Sequence, residues 1–297
     1  MIQTSFRRKW LPFLGLYAVL MAIFAFTDLN ISLRLINMDS IFGKFAESCA
    51  EVPMNTISMF AYAILFVTRP KKRSVWTVLA KALFFAATFE YAFFILFFSV
   101  KYLVPSRAVL AGVIGGVPFG IIALLLTKRL VRTNRDVWVR AAIVVAVSVV
   151  LMELFANLLL KVIWARPRMR DLTAPYEGFM PWYLPHSSTL GGSSFPSGHT
   201  AGAASTFCLT MLCDIVDKLK GKQWLFSLFA LFWTVLIGVG RIVLAAHFAS
   251  DVTTGAFIML LAFELTKSVT DIISPSRKTK PDFRSPLNYY SSKESMF

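Results

Sequence analysis

The chain has 297 residues, of which 57% are hydrophobic and only 16% charged, and its mean hydropathy is +0.65. Soluble proteins carry about 25% charged residues, so this composition excludes an ordinary soluble enzyme. The formal net charge of +15 would suggest a nucleic-acid partner in a soluble protein. Here the positions of the charges give a different explanation, because they follow the pattern of a membrane protein.

Eight apolar runs divide the chain, and each comes near the roughly 20 residues that a helix needs to cross a bilayer. They lie at about 10–27, 49–68, 75–99, 102–127, 137–160, 198–216, 224–244 and 252–267. Helices are expected because the runs are continuous, whereas the strands of a membrane barrel alternate. The sequence therefore predicts an all-α, polytopic transmembrane bundle of about eight spans, forming a single domain over residues 1–274.

The distribution of Lys and Arg predicts the orientation of this bundle. Most of the 31 Lys and Arg residues lie before the first run, in every second connection and after the last run. The positive-inside rule then places both termini in the cytoplasm, and residues 275–297 read as a basic, disordered cytoplasmic tail. Topology thus explains the basic excess, and no nucleic-acid partner is expected. A plasma membrane, by default a bacterial one, is the expected location; the oligomeric state is left open.

The sequence Pro196-Ser197-Gly198-His199 opens the sixth run at its predicted outer end. A helix beginning there would direct its free backbone N–H groups outward, where they and the helix dipole favour a bound anion. Ser197 would add a hydroxyl donor, and Gly198 would let a ligand approach the backbone. A helix start with a purely capping role explains the same residues.

Arg241, His247 and Asp251 join the end of the seventh run to the start of the eighth. Asp251 follows His247 by four residues and so shares its helix face, where a carboxylate would accept the imidazole N–H and raise its nucleophilicity. The structural alternative is an interfacial Arg and His that reach for water. The three histidines of the chain, which also include His186 and His199, all fall on the predicted outer side.

Lys161 and Arg168 stand seven positions apart at the outer end of the fifth run. Together with Arg241 they would place three cations beside the start of the sixth helix, which suits a phosphate dianion. A basic collar at the membrane surface is the alternative, although the positive-inside rule disfavours cations on that face. The outer face has no cluster of His, Cys and carboxylate residues, so neither a metal nor another cofactor is expected.

In this order and at these spacings, the three segments resemble the type 2 phosphatidic acid phosphatase superfamily, the integral-membrane lipid phosphatases. The family signature Lys-x6-Arg-Pro is similar to 161–169, Pro-Ser-Gly-His to 196–199, and Ser-Arg-x5-His-x3-Asp to 240–251. Two positions depart, since Met169 stands where the family has Pro and Gly240 where it has Ser. The resemblance covers the motif-bearing half, about 137–267, and implies a six-helix phosphatase-type core.

The resemblance implies a role for each matched residue. His247 would attack phosphorus to form a phosphohistidine, Asp251 would orient it, and His199 would protonate the leaving oxygen and then activate water. The phosphoryl oxygens would be held by Lys161, Arg168, Ser197, Gly198 and Arg241. The implied activity is metal-independent hydrolysis of a lipid phosphomonoester or lipid diphosphate at the outer membrane face. Phosphoryl transfer needs alignment and charge neutralisation, which a cationic cradle supplies.

Polar residues within the spans extend this prediction. Glu153 and Asn157 precede Lys161 by eight and four residues, so the three share one face of a regular helix. Ionisable groups at such depth usually face the bundle interior. We therefore expect Glu153 and Asn157 to orient Lys161, with plain helix packing as the alternative. For Lys81 and Glu90, nine residues apart in the third run, structural roles are expected.

The long outer connection at 165–196 is rich in Pro, Gly, Ser and aromatic residues, which favours an ordered functional loop. Several of its residues would either recognise a headgroup or order the loop and anchor it at the interface. They are Arg166, Arg170, Glu177, Trp182, Tyr183 and His186.

Two other functions stay open at this stage. A lipid phosphotransferase would use the same phosphohistidine with an alcohol in place of water. A non-catalytic anion-binding or transport protein would use the outer cations for capture, although capture leaves the pairing of His247 with Asp251 unexplained. The sequence does not choose among phosphatidate, phosphatidylglycerol phosphate, polyprenyl diphosphate and phosphorylated glycolipids as substrates.

Overall fold

The computed structural model describes residues 2–70, 74–185 and 192–273. The chain there forms α-helices joined by short 3-10 and π-helical turns, and these ranges contain no β-strand. The α-helices are α1 (Ile2–Leu35), α2 (Ile41–Cys49), α3 (Val52–Thr68), α4 (Val75–Lys101), α5 (Ala108–Leu130), α6 (Arg135–Met152), α7 (Leu160–Trp164), α8 (Gly198–Ala204), α9 (Leu212–Ile215), α10 (Gln223–Val243) and α11 (Ala249–Ile273). His186 and the predicted tail at 275–297 lie outside the described residues.

Six helical segments in the described ranges are long and apolar enough to cross a membrane. They are Leu11–Leu35, Ile41–Thr68, Val75–Lys101, Pro105–Leu130, Arg135–Asp171 and Gln223–Val243. The prediction of an all-α bundle with several membrane spans is thereby confirmed. The number is smaller than the eight predicted, because the sixth and eighth apolar runs are not among these segments.

The sixth run, 198–216, is not a continuous α-helix. It passes from α8 through a 3-10 segment, Ser205–Met211, into the short α9. Within it the hydroxyls of Thr206 and Thr210 donate to the carbonyls three residues back, each at 2.7 Å. Such local bonds compete with regular helical pairing, and apolarity alone does not reveal them.

The eighth run lies within α11, a helix of 25 residues whose first turn is polar. Ser250, Asp251 and Thr254 are all buried there. The helix packs against α6 and α8, so these polar groups face protein and not lipid. A helix placed in this way tolerates a composition that a lipid-facing span does not.

The main core lies where α3, α6, α8 and α11 meet. Small and medium side chains fill it, among them Val144, Met152, Ala201 and Met259, which are fully buried. α8 is therefore held inside the bundle, with α10 packed on it as well. Apolar side chains on the outward faces of α4, α5 and α10 stay exposed, as expected for surfaces that contact lipid.

The path from α6 to α7 contains a π-helical turn at Glu153–Leu159. This turn packs against α8, so Glu153 and Asn157 stand beside the start of that helix. π-helical turns are rare and often mark functional sites. The turn changes the register of the side chains that follow it, which a count based on a regular α-helix does not anticipate.

Candidate active site

His247 lies in the tight connection between α10 and α11 and is only 2% exposed. Its Nδ1 atom stands 2.7 Å from the carbonyl oxygen of Ser194. A carbonyl oxygen can only accept a hydrogen bond, so Nδ1 carries the proton and Nε2 keeps its lone pair. This is the tautomer that a nucleophilic imidazole needs.

Asp251, the predicted partner of His247, is wholly buried, but its Oδ2 atom lies 3.7 Å from Nδ1. It accepts instead from the hydroxyl of Ser194 at 2.5 Å and from the backbone N–H of Phe248 at 2.8 Å. These bonds fix both the Ser194 segment and the turn that carries His247. The contacts therefore favour an orienting effect of Asp251 that passes through Ser194.

Arg166 ties this region to the first helix. Its guanidinium is 1% exposed and bonds to Asp251 at 2.6 Å, to Asp28 at 2.9 Å and to the Ser250 hydroxyl at 2.8 Å. Its Nε atom donates to the carbonyl of Met180 at 2.7 Å. All three guanidinium nitrogens thus bond inside the protein, which favours the loop-ordering role over headgroup recognition.

Trp182 orders the same loop from the other side. Its backbone carbonyl accepts from Trp164 Nε1, and its own indole N–H donates to the carbonyl of Met21 in α1 at 3.0 Å. Tyr183, by contrast, is 50% exposed, and Arg170 is exposed as well. These two remain accessible for the headgroup contacts predicted for the loop.

Ser197 caps α8, as the structural alternative for this residue predicted. Its hydroxyl accepts from the N–H of Thr200 at 3.3 Å, and its own N–H donates to the Asp251 carbonyl at 2.9 Å. A Cβ atom at Gly198 would lie 2.3 Å from Asn157 Oδ1. A side chain there would have to displace the Asn157 amide, while the predicted contacts of both residues with phosphate stay predictions.

His199 contacts two residues that the sequence did not indicate. Its Nε2 atom is 3.2 Å from the hydroxyl of Tyr102 and 3.6 Å from Oε1 of Glu51. Tyr102 follows α4 and Glu51 joins α2 to α3, both outside the recognised motifs. His199 Nε2 and the Tyr102 hydroxyl are close enough for a proton to pass between them.

The predicted cations gather around the two imidazoles. Burial lowers the pKa of His199 well below its usual 6.5, and the positive charges of Arg241, Lys161 and Arg168 lower it further. Arg168 and Arg241 act on His247 too. The three distant segments of the sequence therefore meet at one end of the bundle.

Two of these cations, Arg168 and Arg241, each have an N–H donor without a hydrogen-bond partner among the described groups. Arg168 donates from Nη2 to the Ser193 hydroxyl at 3.1 Å, and Arg241, 1% exposed, pairs with Glu47 at 2.5 Å. The Nε atoms of both arginines are buried without a hydrogen-bond partner among the described groups. Buried donors left open are costly, and an anion bound between them would satisfy them.

Glu153 and Asn157 bond to each other, with Asn157 Nδ2 donating to the Glu153 carboxylate at 2.7 Å. Within the part of the chain that the structure describes, neither donates to or accepts from Lys161 directly. The π-helical turn lies between the two residues and the lysine, which changes the regular four-residue register. Their proposed effect on Lys161 stays a prediction.

Both departures from the family signature are explained by packing. A Cβ atom at Gly240 would lie 2.2 Å from the Cβ of Ala46, so α2 occupies the space that a serine side chain would need. Met169 is 1% exposed and packs with Ala245 and Phe248. Helix α2 also supplies Glu47, the partner of Arg241.

Replacing Gly240 by serine, the family residue, should therefore destabilise this protein. The overlap with Ala46 must be relieved by a backbone shift, at a cost of about 1–3 kcal/mol. The measurement is Tm of the purified protein in detergent. Gly15→Ser is the matched control, because a Cβ there has open space within 4 Å. Equal Tm values for the two variants would contradict this packing argument.

Burial lowers the pKa of His247 from its usual 6.5 to about 4, although the nearby Asp251 carboxylate opposes this change. The folded protein thus holds His247 neutral at neutral pH. An unfolded chain takes up this proton below about pH 6.5, so stability from this residue is lost as pH falls from there toward 4.

Nitrogen-15 NMR of histidine-labelled protein in detergent checks the protonation state of His247. We expect the His247 ring shifts to stay those of the neutral Nδ1–H form down to about pH 5. His186→Gln and His199→Gln variants assign the signals, since the chain has 3 histidines. A midpoint near 6.5 for His247 would show that burial does not control its protonation.

The family comparison agrees with the residues that meet at this site. The PAP2 superfamily model matches residues 138–271, a range that includes every predicted site residue and agrees with the motif-bearing half at about 137–267. Among curated proteins and among solved structures, none matches the chain significantly. Within the described ranges, no group of three or more His, Cys, Asp or Glu side chains is placed to hold a metal ion. By this match, residues 138–271, a little less than half of the chain, are similar to the PAP2 superfamily.

Proposed function

We propose that this membrane protein is a phosphatase that hydrolyses a lipid phosphomonoester or diphosphate through a phosphohistidine on His247. The observation that carries the proposal is the bond from His247 Nδ1 to the Ser194 carbonyl at 2.7 Å. It leaves Nε2 unprotonated beside a group of cations. The similarity of residues 138–271 to a phosphatase-type superfamily supports the same reaction class.

The first chemical step is attack of His247 Nε2 on phosphorus. The bond from phosphorus to the leaving oxygen breaks, and His199, which takes up a proton when the phosphate dianion binds among the cations, gives that proton to the leaving oxygen. Arg168, Arg241 and Lys161 neutralise the charge that spreads over the phosphoryl oxygens, which is the main requirement of phosphoryl transfer. The products of this step are the lipid alcohol and a phosphohistidine.

The second step regenerates the enzyme. His199, now neutral, accepts a proton from water while the water oxygen attacks phosphorus, and the bond from phosphorus to Nε2 breaks. Inorganic phosphate leaves, and both histidines return to their starting protonation states. Splitting the reaction in this way replaces one difficult displacement by two easier ones.

The proposal places the site at the outer face of a plasma membrane, with both termini in the cytoplasm. The Lys and Arg distribution supports this orientation. A site at the end of the bundle suits a lipid whose chains stay in the bilayer while its phosphate reaches the cations. The substrate is thus a lipid phosphate, and the bilayer is the partner that delivers it.

The test uses the purified full chain in detergent, with a metal chelator and a ³²P-labelled lipid phosphate. We expect release of inorganic phosphate and, after rapid quenching, a phosphoprotein that is stable to alkali but labile to acid, mapping to the peptide that contains His247. In water labelled with ¹⁸O, the released phosphate should contain one labelled oxygen. A new phospholipid without free phosphate would indicate transfer, and activity lost to the chelator would contradict the metal-free mechanism.

A further inference from the structure

A cavity of about 440 Å³ opens beside His199. Its size is within the roughly 300–1,000 Å³ of small-molecule sites. It lies between α3, α4, the π-helical turn and the start of α8. Its polar lining residues besides His199 are Glu51, Asn55, Glu90, Glu153, Asn157 and Lys161.

The cavity extends from the proposed phosphate site toward the membrane interior. Lys161 and His199 line it and also belong to the phosphate site. Glu153 precedes Lys161 by eight residues, at the far end of the π-helical turn, and so lies deeper along the helix axis. Glu90 stands eleven residues before Lys101 at the end of α4, about 16 Å from that end.

One lining residue lacks the partner that its burial demands. Asn55 is 2% exposed, and its Nδ2 atom has no hydrogen-bond partner among the described groups. A buried amide without a partner costs free energy that a ligand oxygen would recover. Glu51 and Glu153 offer carboxylate oxygens in the same cavity, which accept hydrogen bonds. The amide donor of Asn55 and the carboxylate acceptors of Glu51 and Glu153 therefore line the same cavity.

A lipid phosphate places its parts in a fixed order. The phosphate is outermost, the bridging oxygen follows, and the alcohol that leaves carries the acyl or prenyl chains. Since His199 must reach the bridging oxygen, the first atoms of the leaving alcohol lie on the membrane side of His199. That position is the cavity.

The side chains that line the cavity indicate which kind of leaving alcohol it can bind. A diacylglycerol or prenyl group has few or no donors to offer, so the carboxylates would be left unpaired in contact with hydrocarbon. A sugar ring carries several hydroxyls that both donate and accept. Tyr91, Phe94 and Phe98 also line the cavity and offer apolar ring surfaces to the C–H groups of a sugar.

We infer that the cavity receives a polyhydroxylated leaving group, so that the substrate is a phosphorylated sugar lipid. The inference rests on the proposed function, because it needs the phosphate to lie at His247. It also gives Glu90 a ligand-binding role in place of the purely structural one expected from the sequence.

The first experiment compares two substrates in nanodiscs that hold the full chain. One is a diacylated hexose 1-phosphate, and the other is phosphatidate with the same acyl chains. We expect kcat/KM to be about tenfold or more higher for the sugar lipid, the ratio that one well-placed group contributes. An equal value, or a higher value for phosphatidate, would overturn the inference.

Two variants test whether the cavity causes this preference. Asn55→Leu and Glu90→Gln should each lower the ratio of the two kcat/KM values by about fivefold to tenfold, equivalent to the loss of one hydrogen bond. Glu90 is exposed, so Glu90→Gln keeps the test valid even where Asn55→Leu impairs folding. Asn37→Leu, in the exposed connection before α2, is the matched control and should leave the ratio unchanged. An unchanged ratio in both cavity variants would refute the assignment.

A binding measurement separates this inference from the proposed function. The dephosphorylated sugar lipid should bind the His247→Ala protein at least about tenfold more tightly than diacylglycerol, and Glu90→Gln should weaken that binding. If no lipid phosphate is hydrolysed while this binding persists, the phosphatase proposal fails and the sugar site stands. If phosphate is released but the sugar lipid shows no preferential binding, the cavity inference fails alone.

Discussion

Replacing His247 by asparagine should reduce phosphate release by about 10⁴-fold or more, the scale of losing a covalent nucleophile. Asparagine suits this test because its side-chain amide can donate to the Ser194 carbonyl in place of Nδ1, so the turn is preserved. It offers no nucleophile at the position of Nε2. The measurement is kcat of the purified protein with a lipid phosphate, together with Tm to establish that the variant is folded.

His199→Ala gives the informative comparison for this variant. With a leaving group as good as p-nitrophenolate, the first step needs little help from an acid, whereas attack of water still needs a base. The His199→Ala protein should therefore release a burst of p-nitrophenol and accumulate the phosphohistidine. His247→Asn should show neither. A folded His247→Asn protein that keeps a tenth of the activity, or a phosphorylated one, would remove His247 from the mechanism.

How far the site could be predicted from the sequence depends on the kind of atom involved. The spacing of the three signatures in the sequence is enough to identify side chains such as Lys161, His199 and His247 as candidates for the site. The acceptor for His247 is a backbone carbonyl, which every residue possesses, so its position at Ser194 leaves no mark in the sequence. Only the folded chain shows which carbonyl approaches the ring.

The acidic partners were missed for a related reason. Asp28 is 138 positions from Arg166, and Glu47 is 194 positions from Arg241. Both acids lie in the first spans, where no motif directs attention to them. Glu51 beside His199 is a third such case. Partners this distant are selected by packing, and apolar patterning reports only that a helix is present.

In the fold, too, the apolar pattern predicted some elements, whereas others depend on packing within the bundle. Apolar runs predicted the positions of the long helices such as α4, α5 and α10. They did not predict the 3-10 segment Ser205–Met211 or the π-helical turn Glu153–Leu159, because both arise from local bonding and close contacts within the bundle. The π-helical turn packs beside α8, and the 3-10 segment continues from the end of α8.

Arg166→Met should be the most destabilising single change in the described part of the chain. Arg166 is the cation between Asp28 and Asp251, and all three side chains are at most 1% exposed. Removing one partner of a buried ionic group leaves the others uncompensated, at a cost of about 3–5 kcal/mol. The expected result is a large fall in Tm in detergent. Arg170→Met, an exposed neighbour, is the control and should change Tm little.

A double-mutant cycle tests whether the loss comes from the ion pair itself. Asp28→Asn removes one of the two carboxylates that Arg166 neutralises, so Arg166→Met should cost less in its presence than alone. The coupled residues also hold Asp251, and through it the Ser194 segment, so the single variant should lose activity at temperatures where it is still folded. Additive changes in Tm would show that Asp28 and Arg166 act independently. The buried charge of Asp28 on α1 would then be unrelated to the geometry of His247.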